Sequence, residues 1–250
     1  MAGHSKWKQI KRQKAITDGK RGAQFTKLGR EITMAARMGG GDPAGNARLR
    51  LALLNAKDGN MPADIIERAI AKAVGEKDTS QLDDVLYEGY GPGGTAVLVE
   101  AVTDNRNRTV AEIRAAFGRN GGNLGETGSV AWQFTTRGVI TLEVKKGLDP
   151  DEVALLAIDA GAEDFTAEDE ALSIYTKPED LESVRKALID AGTQPDSASI
   201  EKVPSLTVEL EDKEAMQTLK LLDKLEDLDD VQKVYSNAGF SDKVLAEFSA

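Results

Sequence analysis

The chain has 250 residues, of which 40% are hydrophobic and 30% charged, and a formal net charge of −10 at neutral pH. It is long enough to bury a core in more than one domain. It contains no cysteine, which excludes a disulfide framework, a cysteine-based zinc site and a thiol nucleophile. No apolar run approaches the length of a membrane span, and we expect a protein of the reducing cytoplasm.

The charge is distributed unevenly along the sequence. Residues 1–77 contain 16 Lys and Arg against 7 Asp and Glu, a net charge of +9, whereas residues 78–250 contain 16 against 35, a net charge of −19. A basic end suits a polyanion, and the acidic remainder would orient the protein with that end forward. The alternative is that the cations neutralise the acidic surface of the protein itself.

The first 77 residues are predicted to form a small helical bundle with a basic exterior. Ser5 can cap a first helix, which the segment "GKRG" (Gly19 to Gly22) is expected to end. Apolar residues then recur at helical spacing in three further helices, which "GGGDP" and "GNMP" separate. Pro62 is well placed at the start of the last of them.

From about residue 78 the pattern changes to strands and helices. "TAVLVEAVT" predicts a strand, and "TVAEIRAAFGRNG" predicts a helix with a capping box of Thr109 and Glu112. "SVAWQF" alternates, which places Val130, Trp132 and Phe134 on one face of a further strand. Near the C-terminus, "LTVEL" predicts a strand, followed by a leucine-rich helix and a strand in "VQKVYS".

A self-contained run of elements lies between these two segments. Strands in "GVITLEVKK", "DEALSIYTK" and "ASIEKVPS" alternate with two helices, and a short additional strand is expected near Phe165. Asp149 caps the first of these helices, Pro150 follows it, and Gly161 ends the helix. The order is the split βαβ arrangement of a ferredoxin-like unit.

The two flanking segments give a second unit of this kind only when they are joined. We therefore predict an α+β protein with an N-terminal helical bundle followed by two ferredoxin-like α/β domains, one inserted in the other. The predicted domains are residues 1–77 (basic and helical), 78–135 plus 205–250 (ferredoxin-like), and 136–204 (the inserted ferredoxin-like domain).

The cations that would contact phosphate are concentrated in the helical domain. Each phosphate that a lysine or arginine neutralises releases counterions. Trp7 has two interpretations, stacking on a base or packing against the next helix. The predicted nucleic-acid-binding residues of this domain are Lys6, Trp7, Lys8, Lys11, Arg12, Lys14, Lys20, Arg21, Lys27, Arg30 and Arg37.

Three further stretches outside that domain are candidate sites. "TDNRNRT" places Arg106 and Arg108 beside a predicted helix N-terminus, where anions are favoured, so both are candidate phosphate contacts. The alternative is that they are solvated side chains of a turn. "YEGYGPGGTA" and "NGGNLGETGS" are predicted to be glycine-rich loops. The first precedes a strand and lacks the lysine of a phosphate-binding loop, so a turn between domains explains it better than a nucleotide site.

The sequence offers little for catalysis. Glu126 is a single carboxylate without a visible partner in the sequence, and catalysis by paired carboxylates would need a second one. His4 is the only histidine, which disfavours both a catalytic triad and a histidine-based metal site. The acidic residues from Glu163 to Glu170 resemble a solvated face. We therefore predict no enzymatic activity, no cofactor and no metal.

Several of these stretches resemble the YebC/PmpR-like family in order and spacing. They are "MAGHSKWKQIK", "KRG-QFTKLGREI" with Ala23 in the gap, "GGGDPAGNARLRLAL", "NMPADIIERAI", "YEGYGPGGTA", "TDNRNRT" and "NGGNLGETGSVAW". The cations that fall on the basic N-terminal motif of the family are Lys6, Lys8, Lys11, Lys20, Arg21, Lys27 and Arg30. This chain has Arg12 where relatives often have histidine, and Gly19 where they often have alanine.

The resemblance implies a cytoplasmic three-domain protein without a cofactor or known catalysis. Family members are generally described as DNA-binding transcriptional regulators, and related members, including a mitochondrial translational activator of cytochrome oxidase, act on ribosomes. We predict a nucleic-acid-binding regulator of gene expression that acts on DNA, with a protein partner for the acidic domains and no membrane association. The alternatives are a ribosome-associated translation factor that binds ribosomal RNA, an RNA-acting enzyme with a catalytic group around Glu126 or Asp104, and a protein-interaction scaffold whose acidic domains bind the partner.

Overall fold

The computed structural model describes residues 18–75, 82–144, 149–168 and 171–249. The helix predicted from Ser5 begins outside these ranges. The helices within them are α1 (Asp18–Gly39), α2 (Ala47–Asp58), α3 (Ala63–Val74), α4 (Arg106–Arg119), α5 (Pro150–Asp159), α6 (Leu181–Asp190), α7 (Asp212–Glu226) and α8 (Asp242–Ser249). The strands are β1 (Asp83–Tyr90), β2 (Ala96–Thr103), β3 (Asn123–Leu124), β4 (Phe134–Glu143), β5 (Asp164–Glu168), β6 (Ala171–Thr176), β7 (Ser197–Pro204), β8 (Val208–Glu209), β9 (Val231–Ser236) and β10 (Ala238–Gly239).

The described residues fall into two compact units. One contains residues 18–131 and 211–236, and the other contains residues 132–210 and 237–249. The three helices of the N-terminal region and the first sheet therefore belong to the same unit. The finer division into three domains at residues 77, 135 and 204 stays a prediction.

Helices α1, α2 and α3 pack around one apolar core. Ile32, Ala35, Leu49 and Ala56 are fully buried in it, and α3 contributes half-buried side chains at its edge. The prediction that "GKRG" ends a helix was wrong, because α1 runs from Asp18 through this segment to Gly39. Glycine costs only about 1 kcal/mol in a helix interior, and the packed C-terminal half of α1 outweighs that cost.

The first sheet has the strand order β3-β1-β2-β9 with antiparallel neighbours, and α4 packs against α7. Two strands predicted for this sheet, in "SVAWQF" and "LTVEL", are not part of it. "LTVEL" forms only the two-residue strand β8, which pairs with β10 instead. The missing strand is β1, and it contains Tyr87–Tyr90, the part of "YEGYGPGGTA" that was predicted to be a loop.

The second sheet has the order β5-β6-β4-β7, again antiparallel, and α5 packs against α6. The two sheets have the same arrangement in space, with β3, β1, β2 and β9 in the places of β5, β6, β4 and β7. In the first sheet, however, the strand in the place of β6 comes first along the chain. The α+β class is confirmed, with N-terminal helices followed by two sheets of ferredoxin-like strand order.

The link between the two units differs from the predicted strand. Ala131–Gln133 form a single 3-10 turn, and β4 begins only at Phe134. The side chain of Trp132 is 76% exposed rather than aligned with Val130 on a strand face. The two ends of the segment 134–204 lie together, because Phe134 pairs with Pro204 and the Ser205 N–H donates to the Gln133 carbonyl oxygen at 2.8 Å.

The start of α4 also differs from the prediction. Its N-cap is Asn105, whose Oδ1 accepts from the Arg108 N–H at 3.1 Å, and the helix begins at Arg106 rather than after Thr109. Asparagine is among the best N-cap residues. Thr109 is thereby placed in the first turn, where it is buried and its hydroxyl donates to Asp230 instead of capping the helix.

Candidate nucleic-acid interface

The thirteen predicted nucleic-acid-binding residues fall into three groups. Six of them lie outside the described residues, namely Lys6, Trp7, Lys8, Lys11, Arg12 and Lys14. Lys20 and Arg21 belong to the first turns of α1, and Arg37 is half-buried in its last turn. The remaining four are Lys27, Arg30, Arg106 and Arg108, and the structure gives each of them a defined acceptor.

Arg30 and Arg108 meet at one buried carboxylate, that of Asp230. The Arg30 guanidinium reaches Asp230 Oδ1 at 2.8 Å, and the Arg108 guanidinium reaches Oδ2 at 2.7 Å. The hydroxyls of Thr103 and Thr109 also donate to Oδ2, at 3.1 and 2.7 Å. Asp230 is only 2% exposed, so an unpaired charge there would be costly. These four donors compensate it.

Hydrogen bonding and charge together set the titration of this carboxylate. Burial alone would raise the pKa of Asp230, but hydrogen bonds from Thr109 and Arg108, with the charge of Arg30, hold it below its ordinary value. The same contact raises the pKa of Arg108, since its hydrogen bond to Asp230 favours the charged guanidinium. Asp230 and Arg108 are therefore both charged at neutral pH.

The other two described cations also contact the protein itself. The Lys27 ammonium donates to the carbonyl oxygen of Glu226, and Arg106 Nε donates to Asp83 Oδ2 at 2.7 Å. Arg106 is 62% exposed, so its ion pair is a surface contact of small energetic value. Lys27, Arg30 and Arg108 therefore each have an acceptor within the protein, and their contact with phosphate stays a prediction.

A second buried carboxylate organises the glycine-rich loops. Glu88, on β1, is 3% exposed and accepts the N–H groups of Gly128 at 2.6 Å, Val130 at 2.8 Å and Ala131 at 2.7 Å. Burial would raise the pKa of Glu88, but the three N–H donors lower it below its ordinary value. This arrangement also explains why "SVAWQF" does not form the predicted strand, because the N–H groups of Val130 and Ala131 bind Glu88 and are not available to a sheet ladder.

The two glycine-rich stretches meet at one end of the first sheet. The Tyr90 hydroxyl donates to the Ser129 carbonyl oxygen at 3.0 Å, and a Cβ at Gly122 would lie 2.7 Å from the Tyr90 carbonyl oxygen. Gly94 and Gly121 have φ angles of 74° and 77°, a region that favours glycine. Backbone approach and turn geometry therefore account for these glycines.

Arg48 connects the helical bundle to the first sheet. Its guanidinium binds Glu31 of α1 at 2.9 Å and Asp84 of β1 at 2.9 Å. Burial would lower the pKa of Arg48, but the hydrogen bonds and charges of Glu31 and Asp84 raise it above its ordinary value. None of the three residues was singled out from the sequence, because each is one of many charged residues on amphipathic segments.

Comparison with known proteins is consistent with this fold. Residues 5–76 match the model of the TACO1/YebC protein N-terminal domain, and residues 82–238 match that of the TACO1/YebC second and third domain. The chain belongs to the TACO1/YebC family. The resemblance found in the sequence motifs is thereby confirmed.

Relatives from this family align over nearly the whole chain. A probable transcriptional regulatory protein of Dehalococcoides mccartyi (strain ATCC BAA-2266 / KCTC 15142 / 195) is 53% identical, covering 99% of this chain and 98% of the relative. Another, from Moorella thermoacetica, is 55% identical over 95% of each chain. A crystal structure of a conserved hypothetical protein from Aquifex aeolicus has a TM-score of 0.83 at 45% identity, covering 90% of this chain and 93% of that one.

The described residues of this TACO1/YebC-family chain include neither a cluster of metal-binding side chains nor a membrane-spanning helix. Among them, no group of three or more His, Cys, Asp or Glu residues could hold a metal ion. No helix among the described residues is long and apolar enough to cross a membrane.

Proposed function

We propose that this protein is a cytoplasmic, non-enzymatic regulator of gene expression that binds nucleic acid, and that its target is DNA. The observation that carries the proposal is the charge of residues 5–21, called here the basic segment. It contains seven Lys and Arg against one acidic residue, Asp18. Cations at this density neutralise phosphates, whereas the net charge of −19 over residues 78–250 repels them.

The contacts of the described cations support assigning this role to the basic segment. Arg30 and Arg108 bind Asp230, and Lys27 binds a backbone carbonyl, so these three side chains have acceptors within the protein. Phosphate would have to compete with those acceptors. The names of the relatives, as probable transcriptional regulatory proteins, support a regulatory role and favour DNA as the target.

Charge reversal within the basic segment tests the proposal. Changing Lys8, Lys11 and Arg12 together to glutamate should abolish or strongly weaken the binding of duplex DNA, with no change in the melting temperature. Replacing the same three with alanine should also reduce the slope of log affinity against log salt, by roughly 0.7 to 0.9 for each phosphate that is no longer neutralised. Fluorescence anisotropy over a salt series measures both quantities.

A matched control separates local charge from total charge. Lys186, Lys213 and Lys220 are exposed lysines on α6 and α7, so their change to glutamate alters the net charge equally. This control should bind DNA almost as the parent protein does. Equally weakened binding in the two triple variants would mean that net charge, rather than the basic segment, governs binding, and the proposal would fail.

An experiment on cell lysate distinguishes DNA from ribosomal RNA as the target. A lysate divided between chromatin capture and gradient sedimentation at matched salt should yield a discrete set of promoter sites. Co-sedimentation with ribosomes that survives DNase treatment, with no enriched DNA sites, would replace the transcriptional role by the ribosomal one.

A further inference from the structure

The outer face of α5 carries two large apolar side chains that are exposed to solvent. Leu155 is 65% exposed and Ile158 is 38% exposed, and because they are three residues apart they are neighbours on one face of the helix. The buried face of the same helix is formed by Val153, Ala154 and Ala157. α5 therefore packs one apolar face into its own fold and leaves a second one at the surface.

The strand beside α5 adds a third exposed apolar side chain. β5 packs against α5, and its Phe165 is 39% exposed. Single exposed apolar residues are ordinary on protein surfaces, whereas a group of them on adjacent elements is typical of a binding surface. We call Leu155, Ile158 and Phe165 the apolar patch. None of the predicted phosphate contacts belongs to it.

Acidic side chains flank Leu155 on the same face of α5. Asp151 and Glu152 lie one turn before it and Asp159 lies one turn after it, and all three are exposed. Residues 149–168, which include the whole of α5 and β5, contain seven Asp and Glu and no Lys or Arg. The neighbouring helix α6 has two Lys and Arg and two Asp and Glu, so it leaves this charge unchanged. The apolar patch therefore lies in a negative field.

Apolar contact and negative charge together define the partner that fits this surface. Nucleic acid and anionic membranes are polyanions, and the carboxylates repel them. A neutral apolar segment would leave the carboxylates around the patch without partners, whereas lysines and arginines would pair with them. A helix whose apolar residues recur every three or four positions, with cations beside them, presents both features on one face.

We propose that the apolar patch, with the carboxylates around it, is a docking surface for a basic amphipathic helix of a partner protein. Leu155 and Ile158 contact the apolar side chains of that helix, and the carboxylates one turn away pair with its cations. The apolar centre supplies most of the affinity, and the charges steer association and select the partner. The surface lies outside the basic segment, so protein docking and nucleic-acid binding are tested separately.

The first experiment uses the full chain and a synthetic probe. The probe is a peptide of lysine and leucine whose leucines lie on one helical face, and its control has the same composition with lysine and leucine alternating. Both peptides carry the same charge, so only the arrangement of the apolar residues differs. Fluorescence anisotropy should show that the probe binds about tenfold more tightly than the control, or better.

Removal of the apolar side chains tests where the probe binds. Leu155→Gln combined with Ile158→Gln should weaken probe binding about tenfold or more. Leu155→Gln alone should also weaken it, and because this side chain is mostly exposed the single variant keeps the test valid if the double variant folds poorly. Leu206→Gln is the matched control, since Leu206 is 78% exposed in the same unit but outside the patch, and it should bind as the parent does.

Neutralisation of the surrounding carboxylates tests the role of charge. Asp151→Asn, Glu152→Gln and Asp159→Asn together should weaken probe binding and reduce its dependence on salt. The control variant neutralises three exposed acidic residues of the same unit outside α5 and β5, namely Glu179, Glu182 and Asp190. It has the same net charge and should keep most of the affinity and the salt dependence.

Photo-crosslinking identifies the occupant in cells. A photoreactive amino acid in place of Leu155 should crosslink to a segment of another protein that has apolar residues every three or four positions and lysines or arginines beside them. The same amino acid in place of Leu206 should not capture that segment. A synthetic peptide of the captured segment should bind the parent protein and lose about tenfold in affinity for Leu155→Gln.

Three results would overturn the proposal. The first is that the probe binds the parent and Leu155→Gln equally. The second is that the crosslinks from position 155 fall on the basic segment of this chain or on a second copy, which would make the chain its own occupant. The third is that they fall on nucleic acid, lipid or an acidic segment. Failure of the basic segment to bind DNA, with Leu155-dependent peptide binding intact, would refute the proposed function and leave the docking surface standing.

Discussion

Asp230 is the residue on which the internal charge balance of the first unit depends. It pairs with Arg30 of α1 and Arg108 of α4, and it also accepts from two threonines beside them. Removing one partner of a buried ion pair leaves the others uncompensated, which usually costs several kcal/mol. Asp230→Asn should therefore lower the free energy of unfolding by about 2 to 4 kcal/mol in urea denaturation.

The exposed neighbour Asp229 provides the matched control for this prediction. Asp229→Asn makes the same chemical change one residue away, on a side chain exposed to solvent. Its effect should be a few tenths of a kcal/mol, roughly that of an ordinary surface substitution. If both variants unfold at the same urea concentration, the Asp230 cluster does not stabilise the fold.

The low pKa of Asp230 also predicts how stability changes with acidity. A carboxylate whose pKa is lower in the folded than in the unfolded chain stabilises the fold at pH values above its unfolded-state pKa of about 4. That contribution is lost as the pH falls through the lower folded pKa. Denaturation between neutral pH and strong acid should show a steeper loss of stability for the parent than for Asp230→Asn, and parallel curves would contradict this.

At the scale of elements, Glu88 holds the second glycine-rich loop against β1. Glu88→Gln keeps the size of the side chain but replaces one acceptor oxygen with a donor. The N–H of Gly128, Val130 or Ala131 then loses its acceptor, which should cost about 1 to 3 kcal/mol. Hydrogen exchange resolved to single amides should show faster exchange at these three positions.

Glu126, in the same loop, supplies the comparison for Glu88. Its side chain is exposed, so Glu126→Gln should leave the exchange rates unchanged. Faster exchange throughout the protein in Glu88→Gln would indicate global unfolding rather than release of the loop. Unchanged exchange at the three amides would show that the carboxylate does not fix them.

The elements that the sequence predicted well are those with strong local signals. α5 begins at Asp149–Pro150 and is followed by Gly161 at a φ of 110°, and Leu181, Val184 and Leu188 of α6 are buried as their spacing indicated. Such signals depend only on neighbours in sequence.

The features that were missed depend on distant partners. Residues Tyr87–Tyr90 were predicted to be a loop because of the glycines in and after this stretch, but they form a strand because β1 pairs with β2 and β3. Asp230 is one of two adjacent aspartates, and its burial and its partners far away in sequence, Arg30 and Arg108, distinguish it from the exposed Asp229. Local pattern carries no information about such pairings.

At the scale of the whole molecule, the two ends of the segment 134–204 lie beside each other, as the predicted insertion requires. Gln133 and Ser205 are joined by a backbone hydrogen bond of 2.8 Å. Replacing 134–204 with a short Asn-Gly turn should therefore leave the unit of residues 18–131 and 211–236 folded. The shortened protein should melt cooperatively and retain the DNA affinity of the parent.

A fragment that contains the excised segment, with two residues added at each end, supplies the complementary measurement. Residues 132–206 contain a complete four-stranded sheet with its two helices, so this fragment should fold alone. Residues 206–249 contain only parts of two pairing networks and should not. A cooperative melt from the second fragment, or none from the first, would contradict this organisation.

The place of Asp230 near the end of the chain has a consequence during synthesis. Arg108 is made 122 residues earlier and Arg30 200 residues earlier. At about 5 to 20 residues per second, Arg108 waits roughly 6 to 24 s for its partner. A nascent chain therefore carries Arg30 and Arg108 without their shared partner until Asp230 is made, although Asp104 is already available to Arg108. Premature termination before Asp230 should release a protein in which these cations are more available to cellular polyanions.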